Sequence, residues 1–466
     1  MQAPGIVHIG LGAFHRGHQA VYLQSYRART GDTRWDICAA NIRSNKAICD
    51  ALNTANHRYS VVAYQDSQTA SVTQVESIGE ALFAGERRDE LLARLCLPSV
   101  AIVTLTVTEK GYGLNPSGLE LNMDDPAIAA DWVALAEPRS VPGILLLALL
   151  RRRERGLDAF AVLSCDNIPH NGARVSTAVM ALAQKHAPEA YSWLADVAFP
   201  SSMVDRIVPA VDEAALSQAE SILGFRDELA IITEQFSQWV VENNFPQGRP
   251  DWEQDGVTMV ANVASYETMK LRLLNGAHSI LAYAGLMLGH ATVDQAVADP
   301  ILQALVRAYF AEAIPTIYVD VDLDAYCEAL LVRFANDSLN HRLAQIAMDG
   351  SQKIPQRWLN GVAERAAQGK DSPVAALAFA CWLIHHRGSP LDGAPYPVND
   401  PLSDQMASCV NEDLATWVEQ ALAVSAVVPT AVASDTAFKK AVIALLDALM
   451  GATSEADLRT RLDRLC

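Results

Sequence analysis

Gly5-Ile6-Val7-His8-Ile9-Gly10-Leu11-Gly12 is the stretch on which the fold turns. A short apolar run ending in two glycines reads as a buried strand passing into a tight turn, and His15 to Arg27 then carries helical periodicity. Trp35-Asp-Ile-Cys-Ala-Ala-Asn41 supplies the next strand, so the chain opens as strand, helix, strand, the unit of nucleotide-binding α/β domains. Further strands are expected at Tyr59 to Ala63, Val100 to Val107 and Ala159 to Ser164. The last two are continuous apolar runs, typical of a parallel sheet covered on both faces. Helical stretches such as Ile144 to Arg155 and Arg174 to His186 separate them. Glu234 to Val263, with Trp239, Phe245, Gly248, Pro250 and Trp252, reads as extended segments and turns closing a first domain. From Tyr266 onward strand signals nearly vanish while alanine and leucine dominate, which sets a boundary near residue 262 and a helical second domain after it.

At 466 residues, half hydrophobic and 19% charged, the chain is globular and long enough for two or three domains. A formal net charge of -18 argues against nucleic acid or an acidic membrane surface as the main partner. A small anionic substrate stays open if a local site supplies positive charge. The cysteines Cys38, Cys49, Cys96, Cys165, Cys327, Cys381, Cys409 and Cys466 form no CxxC pair and no metal-ligand spacing, so reduced thiols in a cytoplasmic protein without a metal site are expected. No segment approaches about 18 apolar residues without charge, so neither secretion nor a membrane span is expected.

Gly10-x-Gly12 between strand and helix lets backbone approach a pyrophosphate, with helix N-terminal amides to receive it. Where a third glycine is usual the chain has histidine, in Phe14-His15-Arg16-Gly17-His18. Arg16 is read either as a phosphate contact or as a solvated basic helix start. After the second strand comes Asn41-Ile42-Arg43-Ser44-Asn45, with no acid for a ribose diol and with Arg43 able to accept a 2′-phosphate. The cofactor-binding candidates are therefore Gly10, Gly12, Phe14, His15, Arg16, Asn41, Arg43 and Thr106, and the residues alone leave NAD and NADP both open.

Thr104-Leu-Thr-Val-Thr-Glu109-Lys110-Gly111-Tyr112 follows a buried strand, where side chains reach a ligand crevice. Glu109 there can relay protons and Lys110 can pair an anion; an ordinary polar loop is the alternative. Ser164-Cys165-Asp166-Asn167-Ile-Pro-His170-Asn171-Gly172 offers a carboxamide, or simply a tight Asx loop. Met203-Val-Asp205-Arg206 sets a charged pair in an apolar run, read as a buried ion pair or as a substrate contact. Tyr266-Glu-Thr-Met-Lys270-Leu-Arg-Leu-Leu-Asn275-Gly-Ala-His278 spaces lysine, carboxamide and imidazole at i, i+5 and i+8. At about 100° per residue they share an arc of roughly 140°, while Leu271, Leu273 and Leu274 anchor the helix. Desolvation can make such a lysine a base near neutral pH, and Asn167 with Asn275 would make a two-donor hole for an alkoxide. The bland alternative is a snorkelling lysine beside a satisfied core histidine.

Read in order, Ile9-Gly-Leu-Gly-Ala-Phe-His-Arg-Gly-His18, Thr106-Val-Thr-Glu-Lys-Gly-Tyr112, Ser164-Cys-Asp-Asn167, Met203-Val-Asp-Arg206, Gln238-Trp-Val-Val-Glu-Asn-Asn-Phe245 and Lys270-x4-Asn275-x2-His278 resemble the polyol-specific long-chain dehydrogenases of the mannitol dehydrogenase family. The resemblance implies a Rossmann-type α/β NAD-binding domain over residues 1–262. A mostly α-helical domain over 263–466 would follow, with the active site in the cleft between them. It implies metal-independent hydride transfer at a secondary carbinol. Lys270 would be the general base, Asn167 and Asn275 the oxyanion donors, His278 an orienter of a substrate hydroxyl, Glu109 a proton gate, and Asp205 a ligand of substrate hydroxyls. Lys110 stands where polyol members tend to have glycine, and Gln345, in Gln345-Ile-Ala-Met-Asp-Gly-Ser-Gln-Lys353-Ile-Pro-Gln-Arg357, where they usually have arginine. Both look like the mannonate-oxidising, fructuronate reductase branch, and Lys110, Lys353 and Gln345 join the substrate-binding candidates. A sugar acid, D-mannonate with D-fructuronate, is therefore the expected substrate pair. The N-terminal portion and Trp-Val-Val-Glu-Asn-Asn-Phe also look like arabinitol and mannitol dehydrogenases. NAD is the expected cofactor, and the protein is expected to be a monomer or small homo-oligomer. A non-catalytic NAD-binding sensor is the reading from another class, disfavoured because a sensor has no need of a base on the carbinol.

Overall fold

A computed structural model of the chain describes residues 3–115, 118–339, 341–388 and 396–465, so Cys466 lies outside the described residues. The chain divides into two compact units, Met1–Ala264 and Ser265–Cys466.

The described strands of the first unit are β1 (Ile6–Ile9), β2 (Ile37–Asn41), β3 (Tyr59–Tyr64), β4 (Ala70–Val75), β5 (Ile78–Phe83) and β6 (Ile102–Leu105). They continue with β7 (Ala161–Ser164), β8 (Ser202–Asp205), β9 (Ile231–Glu234), β10 (Gln238–Glu242) and β11 (Thr258–Val260). Five of them form a parallel sheet in the order β5-β2-β1-β6-β7. All residues of β1, β2, β6 and β7 are buried, because helices cover both faces, and the strands therefore read as unbroken apolar runs. Alternate side chains serve opposite cores: Val7, Ile9, Cys38 and Ala40 pack with the helices Val141–Glu154 and Asn171–His186. Ile6, Ile37 and Ala39 pack with Gln19–Thr30 and Lys46–Thr54 on the other side.

Strand order reverses at β1. The chain steps outward through β2 and β5, then returns to the other side of β1 with β6 and β7. The carboxyl ends of β1 and β6 are thus the topological switch point, where open α/β sheets take their ligands.

One of the expected strands is found apart from the parallel sheet, and one expected helix is corrected. Tyr59 to Ala63 is a strand, but it lies outside the parallel sheet: β3 pairs antiparallel with β4 and parallel with β9. An apolar run carries no information about its partner strand. The helix expected from His15 to Arg27 is broken at His18 (φ -128°, ψ -87°) into Ala13–Gly17 and Gln19–Thr30. The His18 ring is held by Gln19 and by the Gln238 carbonyl, both at 3.0 Å, which ties the break to β10.

Among its described residues the second unit has helices and no strand. Gly276–Met287 and Pro373–His385 pack together at its centre and are apolar around most of their circumference, as central helices are. Their core extends from Met269 to Leu462. No described helix is long and apolar enough to cross a membrane. The seven described cysteines are buried, and no disulfide joins them.

Candidate active site

Gly10 and Gly12 leave β1 at the switch point, and they answer to different demands. Gly10 has φ +108°, and a Cβ there would lie 2.0 Å from the Thr106 carbonyl oxygen, so the close approach of β1 and β6 requires glycine. Thr106 Oγ1 donates to the Gly10 carbonyl at 2.7 Å and meets His8 Nε2 at 3.1 Å. A Cβ on Gly12 would find no neighbour nearer than 3.8 Å, and no side chain caps the helix that starts there. Here the fold makes no demand for glycine, and the open space with first-turn amides beside it fits a diphosphate.

Around this turn the other cofactor candidates separate. Asn41 Nδ2 donates to the Leu11 carbonyl at 2.9 Å and so pins the end of β2 to the glycine turn. Phe14 stacks on His18 with centroids 5.0 Å apart. His15 is fully buried and stacks on His8 at 3.4 Å; burial pushes the His8 pKa down to about 3 and lowers that of His15 as well. Arg16 is also buried: Nη1 donates to the Leu229 carbonyl at 2.7 Å and the guanidinium lies over the Tyr59 ring. Arg16 is thus committed to the interior of the unit and is not the solvated helix start that the sequence offered as one reading. Arg43 is exposed, 3.6 Å from Asp125.

Asp166 organises the loops after β6 and β7, and it had no role in the sequence reading. Its buried carboxylate accepts from the Val107 amide (3.0 Å), the Thr108 amide (2.8 Å) and Tyr112 Oη (2.7 Å), and Tyr112 also bonds Ser164 Oγ. Burial raises its pKa while these donors oppose the rise. Thr108 sits at φ +66°, left-handed backbone held between those bonds. The signal was available, since a carboxylate directly after an apolar strand is desolvated and must find donors. Glu109 and Lys110 follow on the short helix Thr108–Gly111, both exposed, with Glu109 3.4 Å from Arg174. Asn167 is exposed at the end of β7. Its loop is fixed by Asn171 Nδ2, which donates to the carbonyls of Asp166 and Ser202 at 2.9 and 2.7 Å. Asp205 is buried at the end of β8, and Arg206 beside it donates to the carbonyls of Gly17 and Glu234.

In the second unit Lys270 and Asn275 open and close a π-turn, Lys270–Asn275, set between the α-helical stretches Ala264–Met269 and Gly276–Met287. Such single turns recur at functional sites. The arc expected from α-helical spacing is corrected accordingly. A turn bonded i→i+5 spends less rotation per residue, so Lys270 and Asn275 come nearer to one face. The disturbed carbonyl ladder is satisfied from a second π-turn, Pro355–Leu359, packed against the first. Arg357 Nη1 donates to the Asn275 carbonyl at 3.2 Å and to Ser279 Oγ at 2.7 Å, and Trp358 Nε1 to the Gly276 carbonyl at 3.1 Å. Tyr309 Oη joins the two turns through the carbonyls of Arg272 and Arg357, at 2.8 and 2.9 Å.

Lys270 and His278 are buried, and Asn275 is half-buried. The His278 ring lies 4.5 Å from Phe334 and 5.4 Å from His341, and among the described residues its buried Nε2 has no hydrogen-bond partner. Burial holds its pKa well below the usual value, and positive neighbours at Arg333 and Arg357 act the same way. A neutral imidazole with an open nitrogen is what a substrate hydroxyl can use. Lys353 is half-buried, with Nζ donating to the Met348 carbonyl at 2.5 Å; burial and Arg357 lower its pKa. Gln345 is exposed in the adjoining segment. Among the described residues no three His, Cys, Asp or Glu side chains form a group able to hold a metal ion.

Comparison with known proteins identifies the family. Residues 4–254 match the mannitol dehydrogenase Rossmann domain, and residues 262–450 match the mannitol dehydrogenase C-terminal domain. An uncharacterized oxidoreductase of Escherichia coli K12, YeiQ, is 44% identical over 412 residues, covering 87% of this chain and 83% of that protein. The D-mannonate oxidoreductase of the same organism is 40% identical over 407 residues, covering 85% and 83%. The mannitol 2-dehydrogenase of Pseudomonas fluorescens, solved in ternary complex with NAD and D-mannitol, superposes with a TM-score of 0.84 at 33% identity, covering 100% of this chain and 94% of that one. With both domains matched in order, the chain belongs to the mannitol dehydrogenase family of oxidoreductases.

Proposed function

We propose that the chain interconverts a sugar acid and its keto form, D-mannonate and D-fructuronate, with NAD(H) as cofactor and Lys270 as general base. The observation that carries this reading is the π-turn in the second unit. It sets the buried Lys270 and the amide of Asn275 toward one face, with the unbonded Nε2 of buried His278 next along the helix. Gly10, Gly12, Phe14, Asn41, Arg43 and Thr106 hold the dinucleotide, and the space at Gly12 fits its diphosphate. When bound, the nicotinamide accepts or supplies the hydride.

The chain's own residues manage the proton and the charge. Lys270 takes the proton from the carbinol oxygen during oxidation and returns it during reduction. Asn275 and Asn167 donate amide hydrogens to that oxygen as it gains negative charge. His278, kept neutral by burial, orients a neighbouring hydroxyl, and Glu109, at the solvent edge, passes the proton out. Asp205 accepts from substrate hydroxyls. Lys110 and Lys353, with Gln345, take the carboxylate end, where cationic donors act as charge-assisted partners. The 40% identity with a D-mannonate oxidoreductase supports the sugar acid; the superposition on a mannitol complex supports a neutral polyol as the second reading.

NADH oxidation against D-fructuronate, D-tagaturonate, D-fructose and D-xylulose in parallel separates the two. The expected outcome is a kcat/KM preference of about a hundredfold or more for a keto-uronate, the size of two or more charge-assisted bonds. If the neutral ketoses win, the protein is a polyol dehydrogenase and Lys110 has no carboxylate to meet.

A further inference from the structure

Beyond the glycine turn, the first unit carries positive charge of which the chemistry above uses only Arg43. A cavity of about 390 Å³ opens at the carboxyl ends of β2 and β5, lined among others by Ile42, Arg43, Gly85, Arg88, Asp125 and Arg139. Three arginines and one aspartate line it, a local excess of positive charge in a chain whose formal net charge is -18. The carboxylate is already engaged, because Asp125 caps the helix Pro126–Val133 by accepting from the Ala127 amide at 2.7 Å. Its oxygen lies 3.6 Å from Arg43. The acid nearest Arg88 is Glu137, at 3.9 Å with its side chain 87% exposed, a pair that solvent screens and that yields readily to a bound anion.

The position of this cavity gives its charge a meaning. Asn41, the last residue of β2, is tied to the glycine turn through the Leu11 carbonyl, and the cavity lining begins with the next residue, Ile42. In dinucleotide-binding sheets the end of this strand reads the adenosine ribose: an acid accepts from the 2′-hydroxyl of NAD, whereas arginine receives the 2′-phosphate of NADP. Residues 41–45 contain no acid to repel that phosphate. Three arginines are also more than a ribose diol can use, since guanidinium forks match phosphate oxygens.

We propose that this cavity binds the 2′-phosphate of NADP(H), so that the chain accepts the phosphorylated dinucleotide as well as NAD(H). The inference rests on the dinucleotide reading above. Its test is a fluorescence titration of the full chain with NADPH and with NADH, with competition by 2′,5′-ADP and by 5′-AMP. NADPH is expected to bind within about tenfold of NADH or better, and 2′,5′-ADP to compete more strongly than 5′-AMP. Arg88→Gln and Arg139→Gln are each expected to weaken NADPH by about fivefold to tenfold, the effect of one charged hydrogen bond at a solvent-accessible site, and to leave NADH within about twofold. NADH binding with NADPH more than about a hundredfold weaker overturns the cavity assignment alone, as does an equal effect of both variants on the two cofactors. Failure of both cofactors to bind overturns the dinucleotide reading and the cavity assignment together.

Discussion

His8 meets a threonine hydroxyl at each ring nitrogen, Thr104 at 2.8 Å and Thr106 at 3.1 Å, and lies fully buried against His15. With its folded pKa near 3 against 6.5 in the unfolded chain, the unfolded state binds the extra proton. Its contribution is therefore complete above the unfolded pKa and is lost as pH falls from about 6.5 toward 3, at roughly 1.4 kcal/mol per pH unit once protonation of the unfolded chain dominates. His15 and His278 are depressed in the same direction. Thermal unfolding at pH 5 and pH 7.5 should show a clear loss of stability on acidification, about 2 kcal/mol from His8 alone. His8→Gln should flatten the slope, and an unchanged slope would assign the acid lability elsewhere. At this scale the sequence put Lys270, Asn275 and His278 on one helical run, and the run is there, although a π-turn opens it. The sequence was not legible for Arg16, because nothing in Phe14-His15-Arg16 says that the guanidinium turns inward to a carbonyl more than two hundred residues away.

Two π-turns packed on each other form the element under the candidate base. Tyr309 Oη is a shared donor to both through the carbonyls of Arg272 and Arg357. Tyr309→Phe should cost about 1–3 kcal/mol in denaturant unfolding, the range for stranding buried acceptors. It should lower kcat more than it raises KM, because the turn sets Lys270 rather than the dinucleotide site. A loss of stability with kcat intact would make the paired turns structural only. Much of the first unit could be read beforehand, since β1, β2, β6 and β7 are covered on both faces and their apolar runs are unbroken. β4 and β5 were missed because their residues are partly exposed and mixed in polarity. The π-turns left no mark either, because an i→i+5 bond changes rotation per residue without changing which residues are apolar.

Each unit holds its own apolar core, one built on both faces of the parallel sheet and the other around Gly276–Met287 and Pro373–His385. The proposed dinucleotide residues lie in the first unit, and Lys270, Asn275 and His278 in the second. A fragment of residues 1–262 should therefore fold and bind NADH within about tenfold of the full chain while showing no turnover, which calorimetry and a dehydrogenase assay check. An unfolded fragment would show that the first core needs the second. The same division of labour recurs inside the glycine turn. Position 10 is closed to every side chain by the Thr106 carbonyl, whereas position 12 has room for one. A lineage released from its chemistry and kept only for its shape would hold the first glycine and drift at the second, so the two positions together date the loss of activity separately from the loss of fold.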